Sequence, residues 1–179
     1  MFFYFDNIIK SYEENHDWDK SLEYLERTFN SNLRTDVLCS LVGFSWYYFV
    51  EGGVESHKYL DDDKNNEAII IWKKYIRVGK DAFSEDPYFN FIAGYTIGLH
   101  GFFINESIDS GDVLMNKCIS LSSDTYLKQL AEFWLELKAR RIKKNGGLPK
   151  PVKGKEICEH LFSGGSLLEK YFNELYCTK

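Results

Sequence analysis

The sequence predicts an all-α fold of stacked antiparallel helix pairs, closed by a C-terminal helical cap. Apolar residues recur at three- and four-residue steps along nearly the whole chain, which is the period of amphipathic helices. Segments with one apolar face alternate with segments that are apolar nearly all round. Hydrophobic residues make up 44% of the 179 residues, which is enough to fill a core and argues against wholesale disorder.

The first helix pair is predicted from "DWDKSLEYLERTF" and "DVLCSLVGFSWYYFV". The first of these segments carries its apolar residues on one face, beginning with Trp18. The second is apolar nearly all round. Thr35 is expected to cap this second helix, and Gly52 and Gly53 are expected to end it.

The second pair repeats this arrangement. Residues 64–83 form an amphipathic pattern, and Asp86 followed by Pro87 is a favourable N-cap and first turn for the next helix. The apolar stretch "LVGFSW" at 41–46 aligns with "IAGYTI" at 92–97 at an offset of 51 residues. We interpret this similarity as a structural echo between the two pairs.

A third pair is predicted from "SGDVLMNKCISL" and "SDTYLKQLAEFWLELKARRI". Gly43 and Gly94 are expected to let neighbouring helices approach closely. The stack is similar to a tetratricopeptide array, but Trp18 is not followed by the Leu-Gly and Tyr spacing of that repeat. The sequence therefore predicts the packing of helical hairpins without the tetratricopeptide consensus.

The domain prediction is one helical domain over residues 1–179. Its helix-pair body covers about 1–143, a basic loop follows at about 144–154, and short helices occupy about 154–176.

Charge is unevenly distributed along the chain. Residues 1–64 hold 13 acidic and 6 basic groups, whereas residues 137–179 hold 4 acidic and 10 basic groups. This asymmetry indicates charged partners. The overall net charge of −5 argues against a general nucleic-acid binder, which is expected to be basic.

The sequence carries no motif of catalysis or of cofactor binding. It lacks the phosphate-binding glycine patterns and the G-x-S-x-G nucleophile motif. "HKYLDDDKNNE" lacks the alternating ligands and central glycine of a calcium loop. His100, inside an apolar helix, is expected to be a satisfied interior or edge histidine. We expect no catalytic residue, no metal and no cofactor.

The cellular location is predicted from cysteines and from hydropathy. Cys39, Cys118, Cys158 and Cys177 are far apart in sequence and are expected to be free thiols, mostly buried, which favours a reducing cytoplasm. The sequence contains no run of about 20 apolar residues, so no membrane span is predicted. The start lacks the basic residues of a targeting segment, so none is expected.

A protein-binding surface is the remaining functional prediction. Acidic groups stand beside aromatic residues in "EENHDWD" and around "DDD", and aromatics supply contact area while carboxylates orient a basic partner. The predicted partner-binding residues are Asp17, Trp18, Asp19, Tyr59, Asp61, Asp62 and Asp63.

"LVGFSWYYFVEGG" followed by "DDDKNNEAIIIWKKY" resembles the helical immunity proteins of bacterial contact-dependent growth inhibition. The resemblance implies a cytoplasmic protein that binds and blocks the toxin domain of a surface-delivered protein. Many such toxins are nucleases with basic clefts, which an acidic inhibitor can cover. It implies no catalytic residue. The basic C-terminal part departs from this pattern and is expected to face away from a basic toxin.

Two alternatives stay open. A tetratricopeptide-like adaptor or chaperone would bind peptide segments of several partners. A helical enzyme or nucleic-acid-associated factor would use the basic segment 138–155, which holds eight Lys or Arg residues.

Overall fold

The computed structural model describes residues 2–55, 62–142 and 154–177, with side chains over 2–50, 66–139 and 156–176. The described residues form nine α-helices and one 3-10 helix, with no β-strand among them. In chain order the elements are α1 (Asn7–Glu14), α2 (Trp18–Ser31), α3 (Thr35–Glu55), α4 (Asp62–Ala82), α5 (Pro87–His100), the 3-10 helix (Gly101–Ile104), α6 (Ile108–Leu121), α7 (Thr125–Ile142), α8 (Gly154–Leu161) and α9 (Leu167–Cys177).

Helices that follow one another in the chain pack as neighbours, which confirms the predicted all-α array. The most extensive contacts join α5 to α6 and α3 to α4. Two longer-range contacts join α3 to α5 and α3 to the C-terminal helix α9. The buried side chains form one connected core that includes Phe3 near the start and Phe172 in α9.

The start of α5 is as predicted. The Asp86 carboxylate accepts hydrogen bonds from the backbone N–H groups of Tyr88 and Phe89 at 2.9 and 3.0 Å, and Pro87 occupies the first turn. The prediction that Thr35 caps α3 is wrong. Thr35 is the first helical residue, and its hydroxyl donates instead to the Asp86 carboxylate at 2.9 Å. This bond links the starts of the two apolar helices.

The prediction that Gly52 and Gly53 end the second helix is also wrong, because α3 continues to Glu55. A glycine inside a helix costs only about 1 kcal/mol relative to alanine. The packing of α3 along both α4 and α5 outweighs so local a preference.

Glycines bring the backbones of α5 and α6 into direct contact. A Cβ atom added at Gly111 of α6 would lie 2.5 Å from the Gly98 nitrogen and 2.7 Å from the Gly94 carbonyl oxygen of α5. The close approach predicted for Gly94 is therefore confirmed. Gly43 serves a different contact, since its added Cβ would lie 3.0 Å from the Leu168 side chain of α9.

The N-terminus of α9 is capped from two parts of the chain. Ser166 and Glu169 form a reciprocal capping box, with hydrogen bonds of 3.2 Å in each direction. The Glu13 carboxylate of α1 accepts a hydrogen bond from the Leu167 N–H at 2.9 Å. The C-terminal helix α9 is thus joined to α1 by residues that lie 154 positions apart in the sequence.

The cysteine prediction is confirmed in part. Cys39 and Cys118 are buried free thiols, and burial raises the pKa of both. Cys158 is disulfide-bonded, which contradicts the expectation of a free thiol there. Sequence spacing does not determine which cysteines a tertiary fold brings together. The Cys177 side chain lies outside the described residues.

None of the described helices is both long enough and apolar enough to cross a membrane.

Candidate protein-binding site

An acidic groove of about 280 Å³ lies where α2, α3 and α4 meet. Four carboxylates, one tyrosine and three apolar residues line it, and we call this set the acidic groove: Asp19, Glu23, Glu26, Glu67, Tyr48, Leu22, Ala68 and Ile71.

The helical period of α2 places three of the four carboxylates on one side. Asp19, Glu23 and Glu26 follow one another at steps of four and three residues, so they share a face of the helix. Leu22 and Leu25 are buried in the core. The amphipathic pattern that anchors α2 therefore also aims its acidic face toward the N-terminal half of α4.

Within the described side chains, Glu26 is the carboxylate of this rim that has both a cationic partner and a hydroxyl donor. Lys74 of α4 pairs with Glu26 at 2.8 Å, and the Tyr75 hydroxyl donates to the same carboxylate at 3.0 Å. The hydrogen bond to Glu26 raises the pKa of Lys74. Among the residues whose side chains are described, the ion contact of Glu23 is a long one of 3.9 Å with Arg27.

The remaining two carboxylates differ in their partners. Asp19 accepts a hydrogen bond from the Tyr48 hydroxyl at 3.2 Å. Glu67 is exposed and forms no ion pair with any residue whose side chain is described. The rim thus retains negative charge above an apolar floor, in which Leu22 and Ala68 are buried.

This arrangement suits a long cationic side chain. The aliphatic stem of a lysine or arginine can lie on the apolar floor while its charged end reaches the carboxylates.

The structure gives the predicted partner-binding residues different places. Asp19 lines the acidic groove. Asp17 pairs with Lys20 at 2.8 Å, and the half-buried Trp18 ring packs against Phe44 with centroids 5.8 Å apart. Trp18 thus serves the core at least as much as the surface.

The second predicted cluster is only partly described. Asp62 and Asp63 lie in the first turn of α4, but their side chains are outside the described residues. Tyr59 and Asp61 lie outside them altogether.

Sequence reasoning missed Glu23, Glu26, Glu67 and Tyr48 of the groove. The steps that identify the apolar face of α2 also align its acids, so the first two could have been found from the same period. Glu67 and Tyr48 gave no such signal, because only tertiary packing brings α3 and α4 against α2.

The most developed polar network elsewhere is structural. The Asp124 carboxylate caps α7 through the Tyr126 N–H at 2.9 Å and accepts hydrogen bonds from Tyr88 at 2.9 Å and His160 at 3.1 Å. Burial acts to raise the pKa of Asp124, but these hydrogen bonds lower it on balance. The network joins α5, α7 and α8.

His100 is the satisfied edge histidine that the sequence predicts. It is half-buried, and its Nδ1 accepts a hydrogen bond from the Trp46 indole at 3.1 Å. Burial lowers the pKa of the imidazole. Within the described side chains, no group of three or more His, Cys, Asp or Glu residues is placed to hold a metal ion.

Comparisons with known proteins find no match to this chain among family models, curated proteins or solved structures.

Proposed function

We propose that this protein binds and neutralises a basic toxin domain in the cytoplasm, in the manner of the immunity proteins that its sequence resembles. The acidic groove is the observation that carries the proposal. Its four carboxylates, three of them exposed, surround an apolar floor, which is the combination expected where a basic protein docks.

In this proposal, charge attraction speeds the association of the two proteins, and apolar packing slows the dissociation of the complex. Carboxylates of the rim attract a basic partner over about 8–10 Å at physiological salt. Docking then removes the apolar floor from water, which stabilises the complex. A nuclease is the favoured class of toxin, because its phosphate-binding cleft presents the cations that such a groove accepts. Neutralisation of this kind needs no catalytic residue and no cofactor.

Asp61, Asp62 and Asp63 extend the proposed surface. Asp63 precedes Glu67 by one turn of α4, which is a rise of about 6 Å along the helix. This nearness in sequence to Glu67 is the ground on which the run is proposed to face the partner as well.

The test has two stages. The tagged protein is first used to capture partners from its native cells at moderate salt, with identification by mass spectrometry. The captured partner is then expressed in a test cell, with and without this protein, and growth is followed.

One stoichiometric partner that arrests growth alone and is harmless with this protein is the expected result. Several substoichiometric clients, none of them toxic, would instead favour the tetratricopeptide-like adaptor. Nucleic acid recovered without a protein partner would move the function to the basic segment.

A further inference from the structure

A second concave site lies on the C-terminal half of α4, facing the 3-10 helix. It encloses about 240 Å³. We call it the basic hollow, and it is lined by Lys73, Ile76, Arg77, Lys80, Asp81, Ile104 and Glu106.

Three cations converge on this hollow, and Lys80 alone among them has an acidic partner within the described part of the chain. Lys80 forms an ion pair with Glu106, which follows the 3-10 helix. Lys73 and Arg77 stand one helical turn apart on α4, and neither forms an ion pair with a described carboxylate. Like charges at this spacing repel each other in a helix, so an anion between them would relieve an unfavourable contact.

The floor of the hollow is fixed by the core. Ile76 is 2% exposed and Ile104 is 4% exposed, so both hold the walls in place. The Lys80–Glu106 ion pair ties α4 to the segment after the 3-10 helix. Lys73 and Arg77 are therefore presented on a rigid frame rather than on a loop.

The acidic residues of the lining limit the charge of the ligand. Three cations against Asp81 and Glu106 leave a net charge of +1, which matches one oxyanion group and disfavours a polyphosphate. The lining contains no aromatic side chain on which a nucleobase could stack. An isolated phosphate group thus fits this site better than a nucleic-acid strand.

We propose that the basic hollow binds a single phosphate group, with Lys73 and Arg77 as its ligands. The Arg77 guanidinium supplies a planar pair of N–H donors for two phosphate oxygens, and Lys73 supplies a point charge. This site is separate from the acidic groove, and it does not depend on the proposed toxin-binding function.

The experiment is a titration of the full-length ¹⁵N-labelled protein with inorganic phosphate, monitored by NMR at constant ionic strength with chloride. Saturable shifts are expected at the amides of α4 from Lys73 to Asp81 and around Glu106. A five-atom ligand should bind with a dissociation constant on the order of millimolar.

Variants test the ligands. Lys73→Gln and Arg77→Gln should each weaken binding by roughly tenfold, and Arg77→Lys should weaken it less, since one charge remains without the fork. Lys128→Gln on α7 is the matched control and should leave binding unchanged. Circular dichroism checks that each variant is folded.

Two further arms identify the source of the phosphate. Adenosine monophosphate binding no tighter than phosphate would support a site for the bare group, and tighter binding would support a phosphate carried on a larger molecule. Shifts that never saturate, or an equal loss in Lys128→Gln, would overturn the proposal.

Discussion

The α5–α6 contact and the acidic groove between α2 and α4 differ in how closely the two helices approach each other. At the first, Gly94 and Gly111 allow backbone to touch backbone. At the second, carboxylates line an open space of about 280 Å³ between the helices. The closed contact leaves no space between its helices, whereas carboxylates line the open one, where we propose that a partner binds.

The difference between these two contacts indicates where a ligand has room to bind. Close packing excludes water and leaves no room for a ligand. Carboxylates that lack full compensation contribute little to folding, so their concentration in one concave place needs another explanation. We propose that binding of a basic partner is that explanation.

The largest effect is expected from Gly111→Ala. The new methyl group would meet backbone atoms at 2.5 and 2.7 Å, so α5 and α6 would have to separate. Overpacking of this kind should lower the free energy of unfolding by about 3 kcal/mol. Urea denaturation measures this loss.

Gly98→Ala is the matched control for the same contact. Its methyl group would lie 3.6 Å from the Trp134 ring, which is an ordinary contact, and alanine favours the helix. The variant should be as stable as the wild type or more so. Equal stability of the Gly111 and Gly98 variants would show that the two backbones are not in contact.

The next effect is on the pH dependence of stability, and it concerns Glu13, a half-buried acid, in contrast to the mostly exposed acids of the groove. Burial raises the pKa of Glu13 to about 7, the Leu167 N–H and Lys170 oppose the rise, and Glu169 adds to it. A carboxyl whose pKa is raised by folding contributes its full stability below its unfolded pKa. That contribution is lost as pH rises toward 7.

Glu13→Gln should remove this pH dependence while keeping an acceptor for the Leu167 N–H. The wild type should therefore lose on the order of 1–2 kcal/mol relative to the variant between pH 4.5 and 8, after allowance for solvent screening. Urea denaturation of both proteins at several pH values measures the difference, in which other groups cancel. A constant difference across pH would contradict the account.

A smaller effect is expected from Asp61, Asp62 and Asp63 changed together to Asn. These charges are proposed to act mainly by steering a basic partner, so partner affinity should fall by about three- to fivefold and depend less on salt. Binding measured at two salt concentrations tests this. An unchanged affinity with an unchanged salt dependence would make the run a solvated segment only.

The smallest effect concerns the stability of the groove variants. Glu23→Gln with Glu67→Gln should change the free energy of unfolding by less than about 0.5 kcal/mol, because neither carboxylate is buried. Thermal and urea unfolding measure this. A loss larger than about 1.5 kcal/mol would mean that these acids hold the helices together.

The helical period was sufficient to predict the array from sequence. The pattern over 64–83 became α4 at Asp62–Ala82, and Asp86 with Pro87 marked the start of α5 correctly. These signals are local, so they do not depend on the rest of the fold.

Predictions that depend on tertiary packing were less successful. Gly52 and Gly53 did not end α3, and Thr35 donates to Asp86 rather than capping its own helix. The groove brings Glu67 of α4 toward the acids of α2, and no spacing in the sequence encodes that meeting. Among the predicted partner-binding residues whose side chains are described, Asp19 lines the groove, and Asp17 and Trp18 do not.

The affinity of the captured partner for groove variants tests the central claim most directly. Isothermal titration compares the wild type, the Glu23→Gln and Glu67→Gln double variant, and the control Glu132→Gln, which removes an exposed acid from α7. A loss of at least roughly tenfold in the double variant, with no change in the control, is predicted. Equal affinity of all three proteins would contradict the assignment of the acidic groove as the partner-binding site.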